Sequence, residues 1–281
     1  MSYGARSATA PLQRVLVRPP IEASGWREYG WRAQPDLDTM AGEHRAYREA
    51  LAAAGAEVIM GETPVSGDCD AIYACDVALV TDRGAILLRP GKEGRRGEPD
   101  AIAEDLRAAG VPIAGRLEAP ATAEGGDLLW LDEGTLVAGR SYRTNDAGIE
   151  ALRRVLPDVE VVSVDLPHHG GRGVILHLLS LISLLDTDLA VAFPPLLPVR
   201  LMEMLEDRGI EVVEVPEEEV DSQGANVLAL GPRVALALEG SPETRRRMKA
   251  AGVDVRVYRG DDLCRKGDGG PTCLAQVILR G

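Results

Sequence analysis

The sequence predicts an α/β fold in which one unit, strand–strand–helix–strand, is repeated around a common centre. Three observations support this prediction: paired apolar runs around turn residues, helical segments that end at glycine, and a polar residue that recurs every 47 to 51 residues ahead of such a pair. One unit cannot bury its apolar face alone, so the units must pack on one another. Since no Gly/Ser-rich or Pro-rich tract divides the chain, a single domain spanning 1–281 is expected.

The first unit shows each element clearly. Its opening segment, DVALVTDRGAILLRPG, has two apolar runs around the turn Asp82-Arg83-Gly84, a pattern typical of a hairpin. The next segment, EPDAIAEDLRAAG, has apolar residues at helical spacing and stops at Gly110, a common residue just past a helix end. The segment VPIAGR then predicts a short third strand.

The same order recurs along the chain. The second unit reads DLLWLDEGTLVAGR, NDAGIEALRRVLP and VEVVSVD; the third reads HLLSLISLLDTDLAVAF, PVRLMEMLEDRG and IEVVEVP; the fourth reads NVLALGPRVALALEG, SPETRRRMKAAG and VDVRVYRG. A fifth unit forms only if the chain ends meet, with CLAQVILR as its first strand and RVLVRPP, DTMAGEHRAYREALAAAG and AEVIMGE as the rest. A chance alternation of strands and helices is the alternative, because many folds alternate them.

Each unit is predicted to open its first strand with a polar residue. These residues are Asp76, Asp127, His177, Asn226 and Cys273, at separations of 51, 50, 49 and 47 residues. Taken singly, a strand-end Asp or Asn is usually a turn former, and a lone His is usually a satisfied core residue. Rotation of the units about an axis would instead bring all five side chains into one cavity.

That set of side chains favours one kind of chemistry. A thiol beside an imidazole suits nucleophilic catalysis, because the thiolate is the reactive species and His exchanges protons near neutral pH. Carboxylates around the pair suit a planar guanidinium, whose N–H donors match their oxygens. A cysteine protease needs only one such group to orient its His. The combination therefore indicates attack on a guanidine carbon.

Composition and charge exclude other classes of function. The formal net charge of −13 argues against nucleic acid as a partner; it suits a cationic small molecule, although solubility alone also explains it. The N-terminal residues lack the apolar core of a signal peptide, and the longest apolar stretch is interrupted by His177, Asp186 and Asp188. No membrane association is expected, and a cytoplasmic location is predicted.

The four cysteines give no metal signature. Cys69, Cys75, Cys264 and Cys273 show no CxxC spacing, so reduced thiols are expected. A zinc site built from them with the pair 168–169 is disfavoured because the ligand spacing is wrong.

The motifs CDVALVTDRGAILLRPGKEGRRGE, ATAEGGDLLW, RSYRTN, LHL and GDGGPTC resemble those of the amidinotransferase and dimethylarginine dimethylaminohydrolase family. The resemblance runs from about Arg14 to the C-terminus. It implies the pentein fold, an α/β propeller of five ββαβ modules around a pseudo-fivefold axis. It also implies a hydrolase with a small-molecule guanidine substrate and neither metal nor organic cofactor. The resemblance leaves the oligomeric state open, with a homodimer among the expected assemblies.

The resemblance also implies site residues. Cys273 resembles the nucleophile, His177 the general acid and base, and Glu124 the carboxylate that positions the His and holds a guanidine nitrogen. The substrate-binding residues implied are Asp76 for the guanidinium, Asp70 as a weaker further contact, Asp127 as support for the loop or cavity wall, and Arg96 and Arg143 for an α-carboxylate. Arg95 is as plausible as Arg96 at that position, and surface salt bridging is the alternative for either.

Two departures from the family pattern bear on the substrate. Cys75 stands where dimethylarginine hydrolases have an acidic residue. Leu179 stands where arginine deiminases and glycine amidinotransferases have an Asp that binds the guanidinium. Losing that carboxylate leaves apolar room, which favours an alkylated guanidine. The expected reaction is therefore hydrolysis of an Nω-methylated arginine to citrulline and an amine through a covalent thiouronium intermediate.

Other functions remain open at this point. An arginine deiminase, or an amidinotransferase in which an amine replaces water, would use the same residues. A non-catalytic pentein that only binds a partner is a third alternative, against which stands the joint presence of Cys273, His177 and Glu124. The aromatic-rich segment 21–40 is predicted to be a mobile lid, with a loop packed on the body as the alternative.

Overall fold

Five three-stranded sheets make up the protein in a computed structural model that describes residues 2–21, 23–171 and 176–281. In each sheet the first strand pairs antiparallel with the second, and the second pairs parallel with the third. One α-helix connects the second strand to the third in every unit. The predicted repeat and the α/β pentein fold are therefore confirmed.

The elements follow the predicted order along the chain. The strands are β1 (Leu12–Val17), β2 (Glu57–Met60), β3 (Ala78–Thr81), β4 (Gly84–Leu87), β5 (Ile113–Arg116), β6 (Leu128–Asp132), β7 (Thr135–Arg140), β8 (Glu160–Asp165), β9 (Ile182–Asp186), β10 (Leu189–Ala192), β11 (Glu211–Glu214), β12 (Leu228–Gly231), β13 (Val234–Leu238), β14 (Asp254–Tyr258) and β15 (Gln276–Arg280). The helices are α1 (Leu37–Ala53), α2 (Glu98–Ala108), α3 (Asp146–Val155), α4 (Val199–Asp207) and α5 (Pro242–Ala250).

The two ends of the chain close the ring by building the fifth module together. Strand β15 pairs antiparallel with β1, with Leu12 opposite Arg280 and Val15 opposite Val277. The backbone N–H of Gly4 also donates to the carbonyl of Ile278 at 2.8 Å. The fifth unit, which the sequence predicts only on the assumption of closure, is thus confirmed.

Apolar packing between neighbouring modules holds the ring together. Five buried clusters each combine side chains of two successive modules, so the interfaces run around the whole ring. Examples are Leu16 with Ile102, Ile86 with Leu136, Val137 with Leu201, Val191 with Ala235, and Leu236 with Leu51. Because each cluster needs two modules, no module buries its own core alone.

The polar residue of each unit lies ahead of the first strand. The prediction that this residue opens the strand is therefore wrong. Asp76 and Asp127 lie in 3₁₀ turns at Ala74–Val77 and Gly125–Asp127, and His177 directly precedes another at Leu178–Ser180. Strand β9 begins five residues after His177. The carboxylate of Asp127 explains part of this displacement, since it accepts the backbone N–H of Leu178 at 3.1 Å and holds the chain in a turn.

A central cavity of about 130 Å³ lies inside the ring. Strands β3, β6, β9, β12 and β15 line it, and most of its lining is apolar. Its lining also includes Cys75, Gly125, Leu179 and Thr272. Each of these lies within two residues of a predicted site residue, whereas the site residues themselves do not line the cavity. The candidate site therefore covers one end of this cavity.

The aromatic segment 21–40, which the structure describes except at residue 22, packs against the ring through buried residues, although much of it is exposed. Trp31 is buried, stacks on Tyr73 with ring centroids 6.1 Å apart, and donates its indole N–H to Asp70 at 2.7 Å. These contacts match the packed-loop alternative. Opening of the segment as a lid stays a prediction.

Among the helices of the described residues, none combines the length and apolar character that a bilayer crossing requires.

We expect Tyr47→Phe to weaken the link between α1 and the loop that leads to Cys273. The Tyr47 hydroxyl is buried and donates to the carbonyl of Pro271 at 2.8 Å. Removing a buried donor should lower the free energy of unfolding by about 1 kcal/mol, measured by urea denaturation. Tyr29→Phe is the matched control, because the Tyr29 hydroxyl bonds Gly94 in a solvent-exposed position. Equal stability of the two variants would contradict this account of the loop.

Candidate active site

His177 and Glu124 form a buried hydrogen-bonded pair at the rim of the ring. Nε2 of His177 lies 2.9 Å from Oε2 of Glu124. His177 is 7 % exposed and Glu124 is fully buried. They come from neighbouring modules, Glu124 just before the turn Gly125–Asp127 and His177 just before the turn Leu178–Ser180. The ring thus places an imidazole against a carboxylate that is 53 residues away in sequence.

Asp76 lies beside this pair and is held by a buried arginine. Its Oδ1 accepts the backbone N–H of Gly126 at 2.9 Å, and its Oδ2 accepts Nη1 of Arg95 at 2.7 Å. Arg95 is 2 % exposed and also pairs with Glu98 through two hydrogen bonds. Oxygen and nitrogen atoms of Asp76, Glu124 and His177 lie within 4.8 Å of one another.

Two glycines make this close approach feasible. A Cβ added to Gly125 would overlap the carbonyl of Cys75, and one added to Gly126 would overlap Nδ1 of the His177 ring. The same added atom on Gly126 would lie 3.0 Å from Oδ1 of Asp76. The Gly-Gly pair after Glu124 is therefore required for three modules to meet at this point.

Cys273 approaches the cluster from the fifth module. Its carbonyl accepts the backbone N–H of Cys75 at 3.2 Å, which ties it to the residue that precedes Asp76. Its Sγ accepts a hydrogen bond from Nδ2 of Asn226 at 3.3 Å. Cys273 is only half-buried, and all four cysteines are free thiols.

Burial and neighbouring charges set the protonation of the site. Burial raises the pKa of the Cys273 thiol to about 11, with a further contribution from the charge of Asp76. Burial alone would lower the pKa of His177. The charges of Asp127, Asp76 and Glu124 and the hydrogen bond to Glu124 together outweigh burial and raise the His177 pKa to about 9. At neutral pH the site therefore holds an imidazolium and a neutral thiol.

Glu124 remains ionised although it is buried. Burial opposes its ionisation, but the hydrogen bond with His177 and the charge of Arg143 bring its pKa well below the usual range. Nε of Arg143 donates to Oε1 at 2.8 Å, and the backbone N–H of Gly91 donates to the same oxygen at 2.9 Å. Nη2 of Arg143 is buried and has no hydrogen-bond partner among the residues that the structure describes. That unused donor is available to an anionic group.

Asp127 lies next to the site and holds the turn that follows His177. It is fully buried, and its Oδ2 accepts the hydroxyl of Ser141 at 2.7 Å while its Oδ1 accepts the N–H of Leu178. Both oxygens are thus occupied, and the bond to Leu178 holds the turn after His177. The wall-supporting role of Asp127 implied by the family resemblance stays a prediction.

The structure brings some predicted substrate-binding residues together and leaves one apart. Asp70 is 4 % exposed. It accepts hydrogen bonds from Nε1 of Trp31 and from Nζ of Lys92, the latter at 2.6 Å. Arg96 lies on the surface, where it pairs with Glu93 at 3.2 Å. The structure therefore favours the alternative for Arg96, a surface salt bridge, because its neighbour Arg95 points inward.

The cluster of Asp76, Glu124 and His177 has the donor types of a metal site, but its chemistry fits a metal ion poorly. Each carboxylate oxygen already accepts at least one hydrogen bond, two of them from Arg95 and Arg143. A metal ligand must be deprotonated, whereas the pKa of about 9 keeps His177 protonated at neutral pH. Carboxylates with spare acceptor positions suit N–H donors better.

Comparison with known proteins decides the family. The family model for eukaryotic N,N dimethylarginine dimethylhydrolase matches residues 33–260. The chain belongs to the dimethylarginine dimethylaminohydrolase family. It is 31 % identical over 274 residues to the dimethylarginine dimethylaminohydrolase of Streptomyces coelicolor, with 96 % of this chain and 98 % of that protein covered. With the Pseudomonas aeruginosa enzyme it is 30 % identical over 249 residues, covering 86 % and 89 %.

A solved structure supports the same assignment. A cysteine-to-serine variant of the Pseudomonas aeruginosa dimethylarginine dimethylaminohydrolase, complexed with citrulline, superposes with a TM-score of 0.80 at 25 % identity. The match covers 96 % of this chain and all of that one. The protein is therefore a dimethylarginine dimethylaminohydrolase-like hydrolase with the pentein fold of its family.

The sequence analysis left Arg95 and Arg96 as equal candidates for an α-carboxylate contact and did not foresee that Arg95 holds Asp76. The two arginines are adjacent, and nothing in the sequence alone shows which one points inward. In this family member the 3₁₀ turn at Glu93–Gly97 places Arg95 and Glu98 on one face. Lys92, which bonds Asp70, was also missed.

We expect Gly126→Ala to displace the His177 ring and separate it from Glu124. The added Cβ overlaps Nδ1, so the variant should lose about 1–3 kcal/mol of stability and its His177 pKa should fall from about 9. NMR titration of the imidazole and urea denaturation measure the two effects. Gly115→Ala is the control, since its nearest heavy atom would lie 3.9 Å away. An unchanged His177 titration in Gly126→Ala would rule out this geometry.

Proposed function

We propose that the protein hydrolyses an Nω-methylated arginine to citrulline and methylamine or dimethylamine. The observation that carries the proposal is the convergence of a thiol, a protonated imidazole and ionised carboxylates from separate modules. The structural relative complexed with citrulline supports the product, because citrulline is the ureido compound that this reaction forms.

Asp76 and Glu124 are proposed to bind the guanidinium. Each carboxylate oxygen can accept more than one hydrogen bond, so the bonds to Arg95 and Arg143 leave capacity for substrate N–H groups. The planar cation matches these oxygens and compensates their charge. Asp70 is proposed as a further contact, which requires that its bonds to Trp31 and Lys92 rearrange.

Cys273 is proposed as the nucleophile, with its ionisation assisted by the substrate. A bound guanidinium places a positive charge beside the sulfur, which lowers the thiol pKa from its resting value of about 11. The thiolate then forms a C–S bond to the guanidine carbon. As the C–N bond to the methylated nitrogen breaks, protonated His177 donates its proton to the departing amine. The product of this half-reaction is a thiouronium on Cys273.

Water completes the reaction in the second half. His177, now neutral, takes a proton from water as the oxygen bonds to the thiouronium carbon. The C–S bond then breaks and the sulfur leaves as the thiolate. As the carbonyl of citrulline forms, the remaining hydroxyl proton is released to solvent, and the thiolate regains from solvent the proton that the thiol released on ionising. His177 thus regains the proton it gave to the amine, and Glu124 holds its ring in place through both steps.

Leu179 favours a methylated substrate over arginine itself. It is buried two residues after His177 and supplies an apolar wall, not a carboxylate for an unsubstituted nitrogen. Cys75 likewise offers no negative charge at neutral pH, because burial raises the pKa of its thiol well above the usual value. A methyl group is accepted against such surfaces, whereas a free N–H donor would lack an acceptor there.

We expect asymmetric dimethylarginine to be turned over faster than arginine or agmatine. Citrulline formation is measured for the amino acids and the corresponding ureido product for agmatine. Cys273→Ser should show no detectable turnover, and Cys69→Ala, which alters a buried cysteine whose neighbouring charges are Asp70, Asp68 and Lys92, should retain activity. Full activity in Cys273→Ser would overturn the mechanism. Faster turnover of arginine would indicate a deiminase, and transfer to an added amine would indicate an amidinotransferase.

We expect Arg143→Met to discriminate against substrates that carry an α-carboxylate. The free Nη2 of Arg143 is proposed to bind that group, and a charge-assisted hydrogen bond contributes about 1.5–3 kcal/mol. The kcat/KM ratio of dimethylarginine to agmatine should fall roughly 10- to 100-fold. Taking the ratio removes the loss that both substrates share through Glu124. Arg96→Met is the control and should leave the ratio unchanged; a ratio that shifts in Arg96→Met alone would move the carboxylate site there.

A further inference from the structure

Asn226 is the one residue of the five recurring polar positions to which the chemistry above assigns no role. Its side chain is 1 % exposed and lies directly behind the nucleophile. Nδ2 of Asn226 is 3.3 Å from Sγ of Cys273, and Oδ1 is 3.2 Å from the backbone nitrogen of Thr272. The amide therefore contacts two consecutive residues of the loop that presents the thiol.

The hydrogen-bond network fixes which end of the amide faces the sulfur. The backbone N–H of Thr272 can only donate, so it must meet the carbonyl oxygen of Asn226. The NH₂ group is then directed at Sγ of Cys273, and because this nitrogen can only donate, the sulfur is the acceptor. An N–H donor in contact with a cysteine sulfur forms a stronger hydrogen bond with the thiolate than with the thiol.

Neighbouring groups hold the amide rigidly in that position. Gly270 permits the approach, since a Cβ there would lie 2.5 Å from Oδ1 of Asn226. Ser183 braces the backbone on both sides of Asn226: its hydroxyl donates to the carbonyl of Ala225 at 2.8 Å and accepts the N–H of Val227 at 3.0 Å. A preorganised donor of this kind requires no rearrangement when charge develops on the acceptor.

We propose that Asn226 is a catalytic residue that stabilises the Cys273 thiolate by hydrogen bonding and thereby sets the acidity of the nucleophile. This inference rests on the proposed function in that it assumes the thiolate is the attacking species. It extends that function by assigning the stabilisation of the sulfur anion to a neutral amide of the adjacent module.

The other groups around the thiol make this donor important. Burial and the charge of Asp76 oppose ionisation, whereas a hydrogen bond with the backbone of Gly270, the amide of Asn226 and the charge of Arg95 favour it. Other titratable groups that interact with the sulfur include Cys75, Cys264, Tyr47, Tyr73 and Tyr258, all of which have raised pKa values and are neutral at pH 7. Arg95 is already paired with Asp76 and Glu98, so Asn226 supplies the side-chain donor that contacts the sulfur directly.

The test is the pH dependence of Cys273 alkylation by iodoacetamide in the full-length protein, without substrate. Modification of the Cys273 peptide is quantified by mass spectrometry, so that the other three thiols do not contribute. Asn226→Ala removes the donor. Asn226→Asp keeps an oxygen for the N–H of Thr272 but replaces the donor with an acceptor. Tyr47→Phe is the structural control, because it loosens the loop that presents the thiol and leaves the amide in place.

We expect the alkylation profile of Asn226→Ala to move to higher pH, with a rate at pH 9 at least about tenfold below the wild type, which corresponds to one pKa unit. Asn226→Asp should move further, because a carboxylate beside the sulfur opposes its ionisation. Tyr47→Phe should keep the wild-type profile. Superposition of the Asn226→Ala and wild-type profiles, or an equal shift in Tyr47→Phe, would overturn the proposal.

The pH dependence of kcat/KM is a second measurement, and it separates this inference from the proposed function. In Asn226→Ala the acid limb of kcat/KM for dimethylarginine should move to higher pH together with the alkylation profile. A wild-type protein that hydrolyses no guanidine would refute the proposed function, yet the alkylation profiles would still report whether Asn226 controls the thiol. An alkylation shift without any shift of the kcat/KM limb would refute the catalytic role of Asn226.

Discussion

The antiparallel pairing of β15 with β1 is the constraint on which the rest of this structure depends. It joins the last strand of the chain to the first and completes the fifth module from both ends. Cys273 lies in the loop that leads into β15, so closing the ring is what carries the thiol to Cys75 and Asp76. A linear array of the same five units would keep Asp76, Glu124 and His177 together but would leave the thiol apart from them.

Charge compensation inside a buried volume is the second organising principle. Three carboxylates lie around His177, and each is held by hydrogen bonds from backbone, hydroxyl or guanidinium donors. Arg95 and Arg143 offset part of this negative charge, and the protonated imidazole offsets more. The carboxylates that face the site keep acceptor capacity, which suits a flat cation more than a metal ion.

The fold could be predicted from the sequence because each module repeats the same apolar pattern and the same turn residues. The equal spacing of the polar positions also predicted which side chains converge. Three features were not accessible. The choice between Arg95 and Arg96 depends on a 3₁₀ turn whose phase the sequence does not fix. The polar residues were expected to open strands, but hydrogen bonds such as that from Leu178 to Asp127 hold them in turns ahead of the strands. The contact of Asn226 with sulfur arises between modules, where local patterns carry no information.

The neutral resting state of the Cys273 thiol affects how readily the protein is oxidised or modified when no substrate is bound. With a thiol pKa of about 11, only about one molecule in ten thousand carries the sulfur anion at pH 7. Peroxides and electrophiles react with that anion and hardly at all with the protonated form. Under the proposed mechanism the charged sulfur forms only while a guanidinium is bound, which protects it from oxidative damage and leaves little reactive sulfur for unintended partners.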